Sequence, residues 1–526
     1  MGAMTTTVVP SPPERIDQFV DHWITDRPDQ EFLVGPDRRL TYAEARVEVD
    51  ACTAALAAVG VARGDRVGYL GDATIDFFIH FLAATSLGAI WVGLNPKYQA
   101  EELAHVISDA TPSMIFIAAD TTSLDGALAT PTVNEAYGSA VPTIDLRRSG
   151  LRSWVDATDG TTDVDSLRAA VESTDGAFIV YTSGSTGRPK GAVLPHGGVN
   201  LSGVIGTIGR GFIDSRVICN LPINHVGAVS DICIRAMIGG GTIIMQDRFD
   251  PALMMRTVAE EQINLWGGVP TIFQICVAHP DFADADLSSV EHIAWGGAAM
   301  PFELIQQLLT KTGASRASTG YGSTETIGGV IFSGPDDSAE LTTTTVGFIA
   351  DQTELRLVDD KGNDVAQGEQ GEMLVRCDFL MKEYWNRPEA TAAAIDSDGW
   401  YRTGDLLRQR DDGRYVFLGR NSDMFKSGGY NVYPREVEDC LEEHPAVALA
   451  AVVGVPDELF QEVGHAHVVL SGDAAPDAII EHVRSHLANY KVPKAVFVHE
   501  QLPMLAVGKV DKVALRATSA PGGQDG

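Results

Sequence analysis

The sequence predicts a multidomain α/β protein, and three observations carry that prediction. Between residues 65 and 312, short apolar runs alternate with helical patterns, the signature of parallel sheets with crossover helices. From Thr345 the rhythm changes to short strands separated by Asp/Gly turns at 359–362 and 411–413, which reads as a small β subdomain. Near Arg420 a further unit of mixed helices and strands begins. With 526 residues and 44% hydrophobic content, the chain holds roughly three or four domains' worth of material and enough apolar mass for large cores.

Each element has its own signal. Residues 40–60 read as a helix: Thr41 can cap it, Glu44 stands three positions later and Gly60 stops it. A strand at 65–70 follows. Residues 77–94 contain no Asp, Glu, Lys or Arg, yet His80, Thr85, Ser86 and Gly88 interrupt them. They read as a buried helix ending near Gly88 and then a strand at 89–94, not as a membrane span. A helix at 99–110 carries Glu101 and Glu102 in its first turn, and 113–118 is another buried strand. Residues 120–175 are polar and weakly patterned, and read as loops and excursions around the first sheet. Strands are expected at 217–221, 242–245, 263–266 and 292–295, with helices at 228–238, 252–261 and 301–312. The β subdomain has strands at 354–358, 372–375 and 414–418. The last unit reads as helix 434–443, strands 447–454 and 466–470, helix 478–487 and strand 494–498, with a disordered tail at 517–526.

Composition narrows the function. A net charge of −32, from 71 acidic and 39 basic residues, argues against a nucleic-acid or anionic-membrane surface. It leaves room for anionic small molecules, which need only a local cluster of donors. The six cysteines (52, 219, 233, 276, 377 and 440) are scattered without a C-x-x-C pair. Neither a disulfide framework nor a zinc site is suggested, and a reducing cytoplasm fits. Residues 1–14 have no apolar core, so they are read as a disordered tail with a cloning remnant and not as a signal peptide.

The stretch that organises the rest is YTSGSTGRPKG at 181–191. Three glycines and four hydroxyls (Thr182, Ser183, Ser185, Thr186) are joined by Arg188 and Lys190, and apolar runs flank them at 177–180 and 192–194. Two buried strands joined by such a loop suit an anion: glycines let backbone N–H groups converge, hydroxyls add donors and lysine adds charge. The spacing does not fit the ordinary P-loop. The string resembles the phosphate loop of the adenylate-forming superfamily, which includes acyl-CoA synthetases, peptide-synthetase adenylation domains and firefly-type luciferases.

The resemblance extends in order from Arg15 to Arg516. It implies that Thr182, Ser183, Gly184, Ser185, Thr186, Gly187 and Lys190 hold ATP phosphates. TGYGSTE at 319–325 is similar to the family's adenine and metal motif. By that likeness Thr319, Gly320, Tyr321, Gly322 and Ser323 surround the nucleotide, with Tyr321 stacked on adenine. Thr324 contacts the α-phosphate, and Glu325, with Thr186, helps hold Mg2+. Gly297 and Ala298 line the adenine site. His225, Val226, Gly227, Asp231, Trp295 and Gly296 are expected at the acyl pocket, where His225 has a positioning role. Asp405 of YRTGD takes the ribose hydroxyls, and Arg420 also contacts the nucleotide. The family's pivot residue corresponds to Ser422, where an acid or lysine is usual. SGGYNVYP at 427–434 resembles the segment that shapes the thiol tunnel, giving Gly428, Gly429, Tyr430 and Tyr490 as coenzyme A residues. Lys509, in P-x-x-x-x-G-K at 503–509, corresponds to the catalytic lysine of adenylation; Met504 to Val507 before it are more apolar than the family's usual run. A cation there offsets repulsion between a carboxylate and an α-phosphate.

The fold so implied is an N-terminal domain at 15–419, with two doubly wound α/β subdomains and a small β subdomain. A hinge at 420–424 and a mobile C-terminal α+β domain at 425–516 follow. The reaction implied is adenylation of a carboxylic acid by ATP, then, after the C-terminal domain rotates, thioester formation with coenzyme A and release of AMP. Small and apolar residues at 224–227, 232–241 and 295–299 favour a sizeable apolar or aromatic acid, and neither a basic nor an acidic anchor for a second charged group stands out. The alternatives are a stand-alone enzyme that loads a carrier protein, or a ligase specialised for one half-reaction. A nucleotide-binding protein without catalysis would not need Lys509. A homodimer is compatible with this reading.

Overall fold

The computed structural model describes residues 9–138, 140–158, 163–182, 188–505 and 509–519. They form two compact units. One comprises Met1–Thr342, Ile349–Thr353 and Arg376–Gly399; the other comprises Thr343–Phe348, Glu354–Val375 and Trp400–Gly526. The β subdomain therefore groups with the C-terminal elements, and residues 420–424 lie inside that second unit.

The first unit contains a seven-stranded sheet in the order Glu383–Tyr384, Lys190–Pro195, Gly176–Thr182, Ile90–Leu94, Arg66–Leu70, Met114–Ile117, Thr143–Asp145. Its central pairs are parallel, and the two at the Glu383–Tyr384 end are antiparallel. The Tyr42–Ala58 helix begins with the expected capping box, Thr41 and Glu44 satisfying each other's backbone N–H groups. The charge-free run becomes most of the Ile75–Ser86 helix, buried at every residue but Asp76, and the buried Ile90–Leu94 strand, and no helix among the described residues is long and apolar enough to cross a membrane. Burial of a strand on both faces explains its continuous apolar reading.

A second sheet orders Leu265–Gly268, His292–Gly296, Arg316–Ser323 and Gly328–Phe332, the last pair antiparallel. Its core contains Trp266, Phe273, Ile293, Trp295, Ile305 and Leu308. A third sheet orders Arg39–Thr41, Glu31–Val34, Thr242–Met245 and Arg216–Cys219.

The second unit has an antiparallel sheet of Thr353–Val358, Gln370–Cys377, Tyr401–Gln409 and Tyr415–Arg420. A further sheet pairs Tyr430–Val432, Phe425–Ser427, Gln461–Leu470 and Val447–Asp457 in that order, with Ala495–His499 beside Gln461–Leu470. The Pro434–Glu442 and Pro476–His486 helices share its core.

Three expectations are corrected. Residues 120–175 are not only loops: they include the Ser123–Leu128, Pro131–Tyr137, Gly150–Ala157 and Val164–Arg168 helices and the Thr143–Asp145 edge strand. Their short apolar patterns fall below the length at which periodicity is legible. The 228–238 helix is wound as a π-helix over Gly227–Ile234 and continues as α-helix only at Arg235–Ile238. The tail is ordered through Ser519, because the Lys512–Ser519 helix buries Leu515 in an apolar cluster with Val453 and Val455.

Candidate active site

The phosphate hairpin is built by register. Tyr181 pairs with Gly191 and Thr182 with Lys190, so two antiparallel strands with buried runs stand on either side of residues 183–187 in the chain. Ser183, Gly184, Ser185, Thr186 and Gly187 lie outside the described residues. The hairpin is tied down at its base. Tyr181 donates its hydroxyl to Asp109 Oδ2 at 2.9 Å, and the Arg387 guanidinium meets Asp109 Oδ1 at 2.5 Å. Trp385 N–H donates to the Gly191 carbonyl at 2.7 Å, and Tyr384 sits opposite Ala192. Arg188, Lys190 and Arg387 line a cleft of about 440 Å3 beside this base, giving a locally basic wall in an acidic chain.

Glu325 follows the Arg316–Ser323 strand and is only 8% exposed. A tight turn places it. Ser323 N–H donates to Thr326 Oγ1 at 2.8 Å, and Thr326 Oγ1 donates to the Gly328 carbonyl at 2.7 Å. Ile327 is held at φ 53°, a strained value for a β-branched residue. Gly322 has no alternative there, since a Cβ would stand 1.8 Å from the Gly328 carbonyl oxygen. Tyr384 donates its hydroxyl to Glu325 Oε1 at 2.7 Å, and the Lys190 ammonium lies 5.2 Å over the Tyr384 ring. Burial and the Glu325 charge both push the Tyr384 hydroxyl well above the usual phenol range, so it stays a donor. Glu325 is thus linked to the phosphate hairpin through Tyr384, which sequence reasoning did not single out; nothing in its local spacing marks it.

Thr319 and Thr324 are buried, Gly320, Tyr321 and Ser323 are half-buried, and Gly322 is exposed. Gly296 is half-buried and Gly297 and Ala298 are exposed, at the carboxyl end of the His292–Gly296 strand. Trp295, expected at the acyl pocket, is 1% exposed and packs in the second sheet's core with Ile293. Alternation along the strand requires that, because Trp295 points opposite to its neighbours.

His225 and Gly227 are half-buried and Val226 is buried at the start of the π-helix. His225 Nδ1 accepts the Gly227 N–H at 3.2 Å, which sets the ring's orientation. Asp231 has a definite structural task. Its carboxylate lies 2.7 Å from Nη2 of Arg235, whose side chain is 1% exposed, and Gly206 leaves the room the guanidinium occupies. The pair neutralises itself, in keeping with the absence of a net charged anchor in the sequence reading. Nearby Arg210 donates to the Trp295 carbonyl at 2.7 Å and is pushed down to about 10 by burial and by Arg235.

The second unit gathers three expected residues. Asp405 and Arg420 are paired across antiparallel strands, with Arg420 Nε 3.0 Å from Asp405 Oδ1. Asp405 is buried and its N–H donates to Thr403 Oγ1 at 3.1 Å. Lys509 stands within electrostatic reach of both. Burial first, then Arg420, push its ammonium below the usual lysine range, and Asp405 opposes them. Gly428 and Gly429, at φ 58° and 86°, form the turn between Phe425–Ser427 and Tyr430–Val432. Tyr430 is 60% exposed and its ring stacks on Tyr490, with centroids 4.5 Å apart. Ser422 is exposed, and its hydroxyl is 3.3 Å from Asp423 Oδ1.

Two family models match this chain: AMP-binding enzyme over residues 20–385, and AMP-binding enzyme C-terminal domain over residues 436–509. A feruloyl-CoA synthase of Amycolatopsis sp is 36% identical over 481 residues, covering 91% of this chain and 93% of that protein. A propanoyl:CoA ligase of Mycobacterium tuberculosis, named for a methyl-dioxo-octahydroindenyl acyl group, is 35% identical over 512 residues, covering 94% and 97%. The solved structure of the anthranilate CoA ligase AuaEII in complex with anthranoyl-AMP superposes with a TM-score of 0.86 at 25% identity, covering 97% of this chain and 98% of that one.

Proposed function

The chain belongs to the AMP-binding enzyme family and is an AMP-forming acid–CoA ligase, and we propose that Glu325, Asp405, Arg420 and Lys509 carry its chemistry on a sizeable apolar or aromatic carboxylic acid. ATP and coenzyme A are its substrates. In the first half-reaction a carboxylate oxygen of the acid attacks the α-phosphorus of ATP. The bond to pyrophosphate breaks, and an acyl-adenylate remains. In the second, the thiol of coenzyme A attacks the acyl carbonyl and AMP leaves.

The observation that carries the assignment is the grouping of Lys509 with Asp405 and Arg420. A ribose bound by Asp405 puts the α-phosphate one short linkage away, where the Lys509 cation offsets repulsion between phosphate and incoming carboxylate. Arg420, paired with Asp405, lies beside the same ribose. In the other unit Glu325 is a hard oxygen donor oriented by Tyr384, which fits Mg2+. Glu325 is the described residue that would hold that ion, whose role when bound is to neutralise phosphate charge; Thr186 is the second expected ligand. Tyr321 supplies a flat face for adenine, Thr324 meets the α-phosphate, and the hairpin with Lys190 holds the departing pyrophosphate. His225, Val226, Gly227 and Gly296 position the acyl group, and the acyl groups named for the relatives support a sizeable acid. Gly428, Gly429 and the Tyr430–Tyr490 stack accept the pantetheine arm, and Ser422 is the pivot between half-reactions.

The test is acid-dependent exchange of pyrophosphate into ATP over a panel from acetate to aromatic and polycyclic acids. Exchange with the larger acids, reduced about 10²–10³-fold in Lys509→Ala, is the expected result. Exchange left unchanged by Lys509→Ala overturns the assignment, and exchange restricted to acetate overturns the substrate class.

A further inference from the structure

We propose that Cys440, His482 and His486 form a binding site for a borderline-soft divalent cation such as Zn2+, stapling two helices of the second unit. The Pro434–Glu442 and Pro476–His486 helices meet along an apolar seam of Val437, Leu441, Ile479 and Val483. Cys440, 5% exposed, closes the edge of that seam. His482 and His486 are one turn apart on the facing helix, so both rings project from one side. A thiol sulfur and one nitrogen from each ring all lie within 4.8 Å of one another.

Two observations favour a metal over a chance cluster. The donor set is right: one thiolate and two imidazoles suit Zn2+ and Co2+ and disfavour Mg2+ or Ca2+. The histidines are oriented as ligands usually are. His482 Nε2 meets the Cys440 carbonyl at 3.0 Å and His486 Nδ1 meets the His482 carbonyl at 2.8 Å, so one ring nitrogen of each is tied to backbone and the other keeps its lone pair. His444, whose ring is 5.2 Å from that of His482, is not in the donor set as it stands: its Nδ1 accepts the Ala446 N–H at 3.2 Å, so its Nε2 carries the proton. The chain separation explains why a search for C-x-x-C did not suggest zinc: Cys440 and His482 are 42 residues apart, and only the helix pairing joins C-x-x-x-H to H-x-x-x-H. Metal bound here would cross-link the helices and raise the stability of the folded unit.

The test titrates tag-free, chelator-stripped full-length protein with Co2+ and then Zn2+. A saturable one-to-one Co2+ spectrum with a thiolate charge-transfer band and tetrahedral d–d bands is expected, bleached by Zn2+, together with a rise in melting temperature. Cys440→Ser should abolish the thiolate band. His482→Ala should weaken Co2+ by more than the roughly 10–100-fold that follows loss of an outer-shell partner. Cys377→Ser, the control, should change neither. Spectra without a thiolate band, or Co2+ binding unchanged in Cys440→Ser and His482→Ala, would mean adventitious surface binding only and overturn the proposal. The unsubstituted protein answers the first question even if a variant fails to fold.

Discussion

At the scale of single residues, the two candidate catalytic groups are held by opposite means. Glu325 is buried and kept as an oriented acceptor by one hydrogen bond, from Tyr384. Removing that hydroxyl in Tyr384→Phe forfeits a bond to a charged group, about 1.5–3 kcal/mol. We expect kcat/KM for adenylation to fall roughly tenfold to a hundredfold by the same arithmetic, read by pyrophosphate exchange, with the fold intact by circular dichroism. Lys509 instead sits in an environment that disfavours its charge. Its folded value is lowered from the ordinary 10.5, so the required protonated form is lost at a lower pH than for a free lysine. The alkaline limb of kcat/KM, which reports the free enzyme, should therefore fall below 10.5. Removing Arg420, which lowers the Lys509 value, should move that limb upward. Lys509→Ala should reduce adenylation by about 10²–10³-fold, the usual effect of losing one group that stabilises developing charge. Thioester formation from synthetic acyl-AMP should persist, because no phosphate is attacked in that step.

At the scale of elements, the π-helix over Gly227–Ile234 shows where sequence pattern and structure part. Apolar spacing identifies a helix there but not its winding, because one extra residue per turn leaves the composition unchanged. Asp231 and Arg235, four residues apart at its end, form an ion pair. Asp231→Ala leaves a buried guanidinium uncompensated and should destabilise the fold by about 3–5 kcal/mol, measured by denaturant unfolding. A loss below about 1 kcal/mol would mean the pair behaves like an exposed one. The Thr41–Glu44 capping box was readable because capping is local chemistry between residues three apart. Tyr384 was not readable, because its strand joins the hairpin from almost two hundred residues downstream of Ala192.

At the scale of the whole molecule, Asp405, Arg420, Gly428, Gly429 and Lys509 all fall in the second compact unit. Ser422 stands in the second unit where the resemblance puts a pivot. Ser422→Asp should change the ratio of adenylation to thioester formation, measured separately with ATP plus acid and with acyl-AMP plus coenzyme A. An unchanged ratio would remove Ser422 from the mechanism.

The sequence by itself determined the family and the order of its motifs, and it singled out Glu325, Asp405, Arg420 and Lys509 as the residues proposed to carry the chemistry. Residue type at fixed local spacing is what phosphate loops, caps and tight turns require, and that information is linear. Only the tertiary structure decided which side chains meet. It placed Trp295 in a core, tied Glu325 to the phosphate hairpin through Tyr384, gathered Lys509 with Asp405 and Arg420, and brought Cys440 to His482 and His486. Those contacts depend on strand register and helix pairing across long separations, where each residue's position is set by the packing of all the others and not by its neighbours in the chain.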